Sequence, residues 1–354
     1  MKRVALVIGA TGQDASHMFD LLIEKGYEEI HGTIRFTSIL KNNRIEHIRD
    51  KIDLHYCDIL DAASVISVIQ KVRPTEIYNL AAISHVKVSA DMENLTLQTN
   101  TIGLLNVLQA VRLLKLDTTK IYHAGTSEQF GNMTNGSTFL NEDSDKKPVS
   151  MYGIAKQAAN NICDMYRDAY NMFVVCGILF NHEGPRRGYN FVTQKIASHV
   201  GSLKRSLDKG FKTDTNMSNK KYILEMGNLN ARRDWGSAKD YVEAMWMMLQ
   251  QDSPKTFVVA TGECHSVREF IEIAYAHIGI TIVWKGQGSD EIGISKETGD
   301  TLVTVNPKFY RDIDIECLLG DATRIKEELG WTPKTSFKEL VIEMVESGYP
   351  KNII

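Results

Sequence analysis

Four side chains in two short stretches could carry out acid–base chemistry together. Thr126-Ser127-Glu128 follows a run, Lys120 to Ala124, that reads as a strand. Tyr152-Gly153-Ile154-Ala155-Lys156 opens a run that reads as a helix ending near Tyr170. Residues four apart share one helix face, which sets Lys156 beside Tyr152. A free phenol titrates near pH ~10, too high for a base at neutral pH, and an adjacent ammonium favours its ionised form. Thr126 adds a hydroxyl, and Glu128 a second acid or base. The set suits oxidation of an alcohol with movement of a second proton nearby. Tyr-x-x-x-Lys alone carries little information, because a chain with 13 tyrosines meets it by chance about once. A surface Tyr and Lys on an amphipathic helix would look the same. The reading therefore depends on the elements that position these residues.

The amino terminus supplies the first of them. Val4–Ile8 is a continuous apolar run, as in a parallel strand buried on both faces. It leads into Gly9-Ala10-Thr11-Gly12-Gln13-Asp14-Ala15 and then a helix with Met18, Leu21, Leu22 and Ile23 on its apolar side. Strand, glycine-rich turn and helix is the context in which such a turn binds a dinucleotide: the glycines let backbone approach a pyrophosphate, and the helix N-terminus offers N–H groups. A second strand, Glu29–Ile34, ends at Arg35, where an acidic residue would suit NAD and an arginine suits the 2′-phosphate of NADP. Arg44 could assist. A third strand over 52–56 ends at Cys57-Asp58-Ile59, with Asp58 placed to reach the adenine. A fourth, over 76–80, enters the small residues Ala81, Ala82, Ile83 and Ser84, which let chain pass close to a cofactor. Helices over 62–72 and 94–114 alternate with these strands. The pattern predicts a doubly wound parallel sheet of the Rossmann type. Ligands then bind beyond the carboxyl ends of the strands. Gly9, Asp58, Ala82 and Thr126 all fall at such ends, and this agreement supports the Tyr152–Lys156 reading.

After a sixth strand, Val174–Leu179, the alternation weakens. A helix over 190–204 precedes a polar, basic stretch, 205–221, read as a surface insertion. A short strand over 222–226, a basic turn through Arg232-Arg233, a helix near 241–249, a strand over 257–260 and a helix over 266–278 follow. Residues 302–305 read as a strand, 322–329 and 337–345 as helices. The predicted organisation is a cofactor domain over 1–180, to which about 236–262 return, and a smaller α/β cap over 181–235 and 263–354. Arg186, Arg187, Arg233 and Arg311 fall near cap turns. Guanidinium groups suit phosphates, so the cap suggests a substrate with a diphosphate, such as a nucleotide sugar. Each arginine alone would also serve as a solvated surface charge.

Composition bounds the rest. A net charge of −3 over 354 residues argues against a nucleic-acid partner. Five scattered cysteines without a C-x-x-C pair suggest neither zinc nor a disulfide framework, and read as free thiols of a reducing compartment. No run approaches a membrane span, and the opening apolar run is too short for a signal peptide. The expectation is a cytoplasmic protein without a metal.

GATGQD, PTEIYNLAA, SHVKVS, GTSEQFG, YGIAK, GILFNHEGPRRG, NFVTQK, RRDWGSAKDYVEAMW and ATGECHSVREF together resemble the GDP-mannose 4,6-dehydratase family of the extended short-chain dehydrogenase/reductases. The likeness runs over nearly the whole chain. It implies conversion of GDP-mannose to GDP-4-keto-6-deoxymannose, on the way to GDP-fucose and related deoxysugars, with a tightly bound NADP recycled each turn. It implies catalytic roles for Thr126, Glu128 and Tyr152, with Lys156 as the tyrosine's partner. It implies NADP contacts from Gly9, Ala10, Thr11, Gly12, Gln13, Asp14, Arg35, Asp58, Ile59, Leu80, Ala81, Ala82, Ile83, Ser84, Lys156, His182 and Arg187. Ser84, Asn181, Val192, Lys195, Arg233, Arg311 and Asp314 match positions on the GDP-sugar side. A homodimer or homotetramer is implied as well, with Arg186 and the 36–44 loop near a neighbour's cofactor.

The chain departs from the family pattern at Phe36 (usually a second Arg), Ile83 (Gln), Leu95 (Tyr), Gly184 (Ser) and Asp314 (Glu). These departures leave open a GDP-heptose in place of the hexose, and the strictness of NADP over NAD. A nucleotide-sugar 4-epimerase or 4-dehydrogenase would share Tyr152, Lys156 and the hydroxyl but need no carboxylate at 128. A non-catalytic dinucleotide sensor would be expected to lose Tyr152 or Lys156.

Overall fold

The computed structural model describes residues 2–38, 43–132, 139–209, 223–309 and 318–347. The chain opens with β1 (Val4–Ile8), α1 (Gln13–Glu24), β2 (Glu29–Ile34), β3 (Asp53–Tyr56), α2 (Ala62–Val72) and β4 (Glu76–Asn79). It continues through α3 (Val86–Asp91), α4 (Glu93–Leu97), α5 (Gly103–Leu113), β5 (Lys120–Ala124), α6 (Met151–Tyr170) and β6 (Val174–Leu179). Then come β7 (Asn181–Glu183), α7 (Val192–Asp208), β8 (Leu224–Met226), β9 (Arg232–Arg233), β10 (Trp235–Ser237), α8 (Ala238–Leu249) and β11 (Thr256–Val259). The last elements are β12 (His265–Ser266), α9 (Val267–His277), β13 (Ile282–Lys285), β14 (Ile292–Ser295), β15 (Thr301–Val305), α10 (Thr323–Leu329) and α11 (Phe337–Glu346).

The chain divides into two compact units. The first holds Met1–Asn181, Ala238–Gly262 and Gly320–Pro333. Its seven-stranded sheet has the order β11-β6-β5-β4-β1-β2-β3, every pair parallel. β1 and β6 are buried along their whole length, as a parallel sheet covered on both faces requires. One face packs on α1 and α8 through Met18, Phe19, Leu22, Tyr241 and Met245. The other packs on α2, α5 and α6 through Val65, Ile69, Leu104, Leu108, Ala159 and Cys163. The doubly wound architecture read from the sequence is thus present.

Three features differ from expectation. The helix expected over 94–114 is interrupted by a π-helical stretch, Gln98–Ile102, which turns Asn100 inward. Residues Gly320–Pro333, expected in the cap, belong to the first unit. There Ile325 and Trp331 join the core, Trp331 meets Tyr241 edge-on, and its indole N–H donates to the Asp240 carbonyl at 2.9 Å. A short α10 and a lone bridge between Leu140 and Gly320 carry no long-range signature in sequence. Cys57, Cys163 and Cys176 are buried free thiols, but Cys264 is disulfide-bonded, which spacing alone could not announce.

The second unit holds His182–Ser237, Glu263–Leu319 and Lys334–Ile354. Its sheet has the order β13-β14-β15-β8, antiparallel except for the parallel pair of β15 and β8. α7, α9 and α11 supply its core, with Trp235, Phe270 and Phe337 in mutual ring contact. Ser266 and Ser336 begin α9 and α11 with capping boxes to Glu269 and Glu339. No helix among the described residues is long and apolar enough to cross a membrane.

If the 320–333 segment is a working part of the first core, Trp331→Ala should cost about 3–5 kcal/mol, the usual range for deleting a buried aromatic. Urea denaturation measures it; a loss below about 1 kcal/mol would return the segment to the periphery.

Candidate active site

β1 ends in Gly9, whose φ of +91° only glycine takes readily. A Cβ there would lie 2.9 Å from the Ala81 Cα, so glycine lets this turn lie against the segment after β4. Ala10 N–H donates to the Thr33 carbonyl at 2.9 Å, and Leu80 N–H to that of Ile8 at 3.1 Å. α1 then begins at Gln13 with no side-chain cap from Gly12, which presents N–H groups and the positive dipole end to an anion. Gln13 donates to Asp14 at 3.0 Å. Arg44 donates to the Thr11 carbonyl at 2.9 Å, fixing a guanidinium on the turn. The Asn100 side chain clasps Ile83, accepting from its N–H at 2.9 Å and donating to its carbonyl at 3.0 Å. The 80–84 segment is thereby held in place, with Ser84 exposed.

At the carboxyl ends of β2 and β3 lies a cavity of about 430 Å³ lined by Arg35, Phe36, Thr37, Tyr56, Cys57, Asp58, Asp61 and Ser64. Asp58 accepts from Leu60 N–H at 3.0 Å, and Asp61 caps α2. Ile59 is buried in the second core face. The turn, the helix end and this cavity fit a dinucleotide: backbone donors for a pyrophosphate and a recess with one guanidinium at the strand ends. Among the described residues no group of three His, Cys, Asp or Glu side chains is placed to hold a metal.

The catalytic candidates gather at the end of β5. Thr126 caps a 3-10 turn, Ser127–Phe130, accepting from Glu128 N–H at 3.2 Å; its hydroxyl proton stays available to donate. Ser150 caps α6 through Gly153 N–H at 3.1 Å. A Cβ on Gly153 would lie 2.6 Å from the Glu128 carbonyl oxygen. That close approach brings the turn carrying Glu128 onto the first turn of α6, which carries Tyr152. One helical turn beyond Lys156, Asn160 donates to Gln129 at 2.8 Å and is met by the Cys176 thiol at 2.7 Å. Tyr152 and Lys156 are both buried. The Lys156 ammonium donates to the Ala124 carbonyl at 2.7 Å. Burial lowers its pKa to about 8, with Cys176, Cys163 and Asp14 pulling the other way. Burial also holds His123 neutral, and the Cys163 and Cys176 thiols in their uncharged forms.

The second unit carries the remaining described candidates except Asn181, the residue at which the opening segment of the first unit ends. Val192 opens α7. Glu183, buried, accepts from Thr193 at 2.6 Å and pairs with Arg187 at 3.0 Å, and Arg187 stacks on Phe191 at 3.6 Å. His182 is half-buried beside them in sequence. The Lys195 ammonium lies 3.8 Å over Phe309 and donates to the Glu225 carbonyl; burial lowers its pKa. Arg233 is buried, with one N–H on the Arg232 carbonyl at 2.6 Å. Asn181 opens β7. Arg311 and Asp314 lie outside the described residues.

The family model described as GDP-mannose 4,6 dehydratase matches residues 6–344. The chain belongs to the GDP-mannose 4,6-dehydratase family. Within that family it is 46% identical to GDP-mannose 4,6 dehydratase of Homo sapiens over 98% of this chain and 91% of that protein. It is 45% identical to GDP-mannose 4,6 dehydratase of Drosophila melanogaster over 98% of this chain and 86% of that one. Among solved structures, UDP-glucose 4-epimerase of Thermotoga maritima superposes with a TM-score of 0.78 at 22% identity, over 97% of each chain. UDP-glucose 4-epimerase of Thermus thermophilus, in complex with NAD, gives 0.77 at 23%, over 97% of this chain and 98% of that chain. At those identities the likeness is one of fold.

Asn100, Asn160 and Gln129 were missed by sequence reasoning. Each is a buried amide in a stretch that reads as ordinary helix or turn. The available signal was an amide on the apolar side of a helix, where it must find a partner.

The depressed Lys156 pKa has a stability consequence with a definite sign. Below pH about 8 the folded and unfolded chains both carry the proton, and the burial cost is fully present. Above it the folded chain releases the proton first, so stability rises with pH until the free lysine value of about 10.4. The stability difference between Lys156→Met and the parent should therefore favour Met most below pH 8 and shrink by pH 10. A difference constant over that range in urea midpoints would refute the buried ammonium.

Proposed function

We propose that this chain is a GDP-mannose 4,6-dehydratase that uses Tyr152, Lys156, Thr126 and Glu128 as its acid–base set. One observation carries the proposal: the Gly153 approach that sets the Glu128 turn against the start of α6. A simple oxidation or epimerisation at C4 needs the tyrosine, the lysine and a hydroxyl. The carboxylate has work only if a second proton must move.

A bound nicotinamide supplies hydride removal from C4 and hydride return to C6. Thr126 donates to the sugar O4 and orients it. Tyr152 takes the O4 proton as the C4 ketone forms, helped by the Lys156 charge on the same helix face. The ketone acidifies C5–H. Glu128 removes that proton and passes it to the C6 hydroxyl, which leaves as water, and Tyr152 then gives the O4-derived proton to C5, so that both groups regain their starting forms. The product is GDP-4-keto-6-deoxymannose, one water lighter than the substrate.

NADP is the proposed cofactor, tightly bound and recycled. Arg35 supports a 2′-phosphate and Arg44 a neighbouring phosphate charge, while the turn from Gly9 to Asp14 takes the pyrophosphate. Arg233 and Lys195 are proposed for the GDP diphosphate, as charge-assisted donors. A homo-oligomer is proposed from the outward sides of two packed helices: Leu97, Ile102, Ile154 and Met165 are exposed apolar side chains there, a concentration that suits an isologous contact.

Mass spectrometry of GDP-mannose incubated with the protein and NADP⁺ should show loss of one water. Loss of water from a GDP-heptose alone would keep the mechanism and move the substrate. Glu128→Gln should retain nucleotide binding and lower water loss by about 10²–10⁴-fold, the usual worth of a positioned acid or base; unchanged turnover would remove the role given to Glu128. Ile102→Glu with Met165→Glu should shift sedimentation to the monomer, whereas an unshifted oligomer would place the contact elsewhere.

A further inference from the structure

The cavity at the ends of β2 and β3 has a wall that charge does not explain. Phe36 is 79% exposed and Tyr56 is 58% exposed, the two highest values among the exposed aromatic side chains described. Their rings meet edge-to-face at 5.9 Å and 63°, and both line the cavity. Among the described lining residues the charged groups are one guanidinium, Arg35, and two carboxylates, Asp58 and Asp61. Arg44, the next cation along the chain among the described residues, is bonded to the Thr11 carbonyl. A recess with more negative than positive groups is a poor phosphate trap by charge alone. A pair of braced, water-exposed rings is instead a surface that a flat heteroaromatic can cover, gaining stacking and burial together.

We propose that Phe36, braced by Tyr56, is the wall on which the adenine base of the dinucleotide stacks, so that the base supplies affinity at this end of the cofactor while Arg35 supplies discrimination. This rests on the cofactor reading given above and adds a division of labour to it. The base is common to NAD⁺ and NADP⁺; the 2′-phosphate is not. Loss of the wall must therefore weaken both dinucleotides by one factor. Loss of the guanidinium must weaken only the phosphorylated one. The cavity then serves as an aromatic site with a charge reader beside it, and NAD⁺ remains a serviceable ligand.

The test is calorimetric titration of the full-length chain, freed of nucleotide, with NAD⁺, NADP⁺, 5′-AMP and adenosine 2′,5′-bisphosphate. Phe36→Ala should weaken all four about tenfold, within the range of base–aromatic stacking, and Phe36→Tyr should restore them. Arg35→Ala should weaken NADP⁺ and the bisphosphate and spare the other two. The exposed ring makes no core contact that folding needs, and an unchanged melting temperature without ligand checks that. A Phe36→Ala loss confined to the two 2′-phosphate ligands overturns the stacking wall. A silent Phe36→Ala with a selective Arg35→Ala overturns it too and leaves the cofactor reading standing. Silence of both variants toward all four ligands removes the cavity from cofactor binding, and the inference with it.

Discussion

A single buried ammonium fixes the catalytic corner. Lys156 donates to the carbonyl of Ala124, the last residue of β5, and so ties the long helix α6 to the point where the chain leaves the sheet. From that point the chain has four residues in which to reach Glu128, and the Gly153 contact decides where it lands. The lysine's burial is tolerated because its ammonium donates to a carbonyl and the Asp14 charge favours its ionised form. Removing the charge would leave the Ala124 oxygen without this donor and Tyr152 without a cation on its helix face. Site and fold share one bond here, which is why the residues around it are amides, thiols and glycines rather than ordinary core.

The first unit was largely legible. A strand buried on both faces is a continuous apolar run, and VALVI and VVCGIL announce themselves. The strand-end rule then placed Gly9, Asp58, Ala82 and Thr126 without a structure. Much of the second unit was illegible for physical reasons. β13 and β14 are four residues each; β13 carries an exposed valine, Val283, and β14 buries Gly293 and Ser295 while its isoleucines are half-buried, so in neither does hydropathy follow burial. The return of 320–333 depends on Trp331 finding Asp240 across 91 positions, a relation that no local pattern encodes. Asn100 was hidden because in Gln98-Thr99-Asn100-Thr101 it is one polar residue among several, until the π stretch that turns it inward is seen.

The distinction between a dehydratase and an epimerase rests on backbone as much as on the side chain. A glutamate at position 128 could point anywhere on a free loop. Here its N–H is held by Thr126, its carbonyl meets Gly153, and its successor Gln129 is bonded to Asn160 on α6. Three constraints on consecutive residues fix the backbone that carries the carboxylate, which suits the proton transfer proposed for it. The similarity in fold to epimerases is no contradiction. The sheet, the turn after β1 and the tyrosine–lysine helix serve any C4 oxidation, and the added chemistry needs one carboxylate on one short turn.

Three other buried tyrosines of the first unit stand in a setting unlike that of Tyr152, the base proposed above. Tyr27 and Tyr78 both donate to the Glu76 carboxylate, at 2.7 and 2.6 Å, at the amino end of the sheet. Burial first, and then that carboxylate, push both phenols up, away from ionisation; Tyr122 is pushed up by burial as well. Trp246 and Gln250 complete the network, which makes the amino end of the sheet a sealed, satisfied structure. A phenol next to a carboxylate is a donor and stays one. A phenol four residues from an ammonium is in the opposite field. At one end of the strands the residue type is thus held as a donor by burial and a carboxylate, and at the other it stands four residues from a cation, as the base role proposed for it needs.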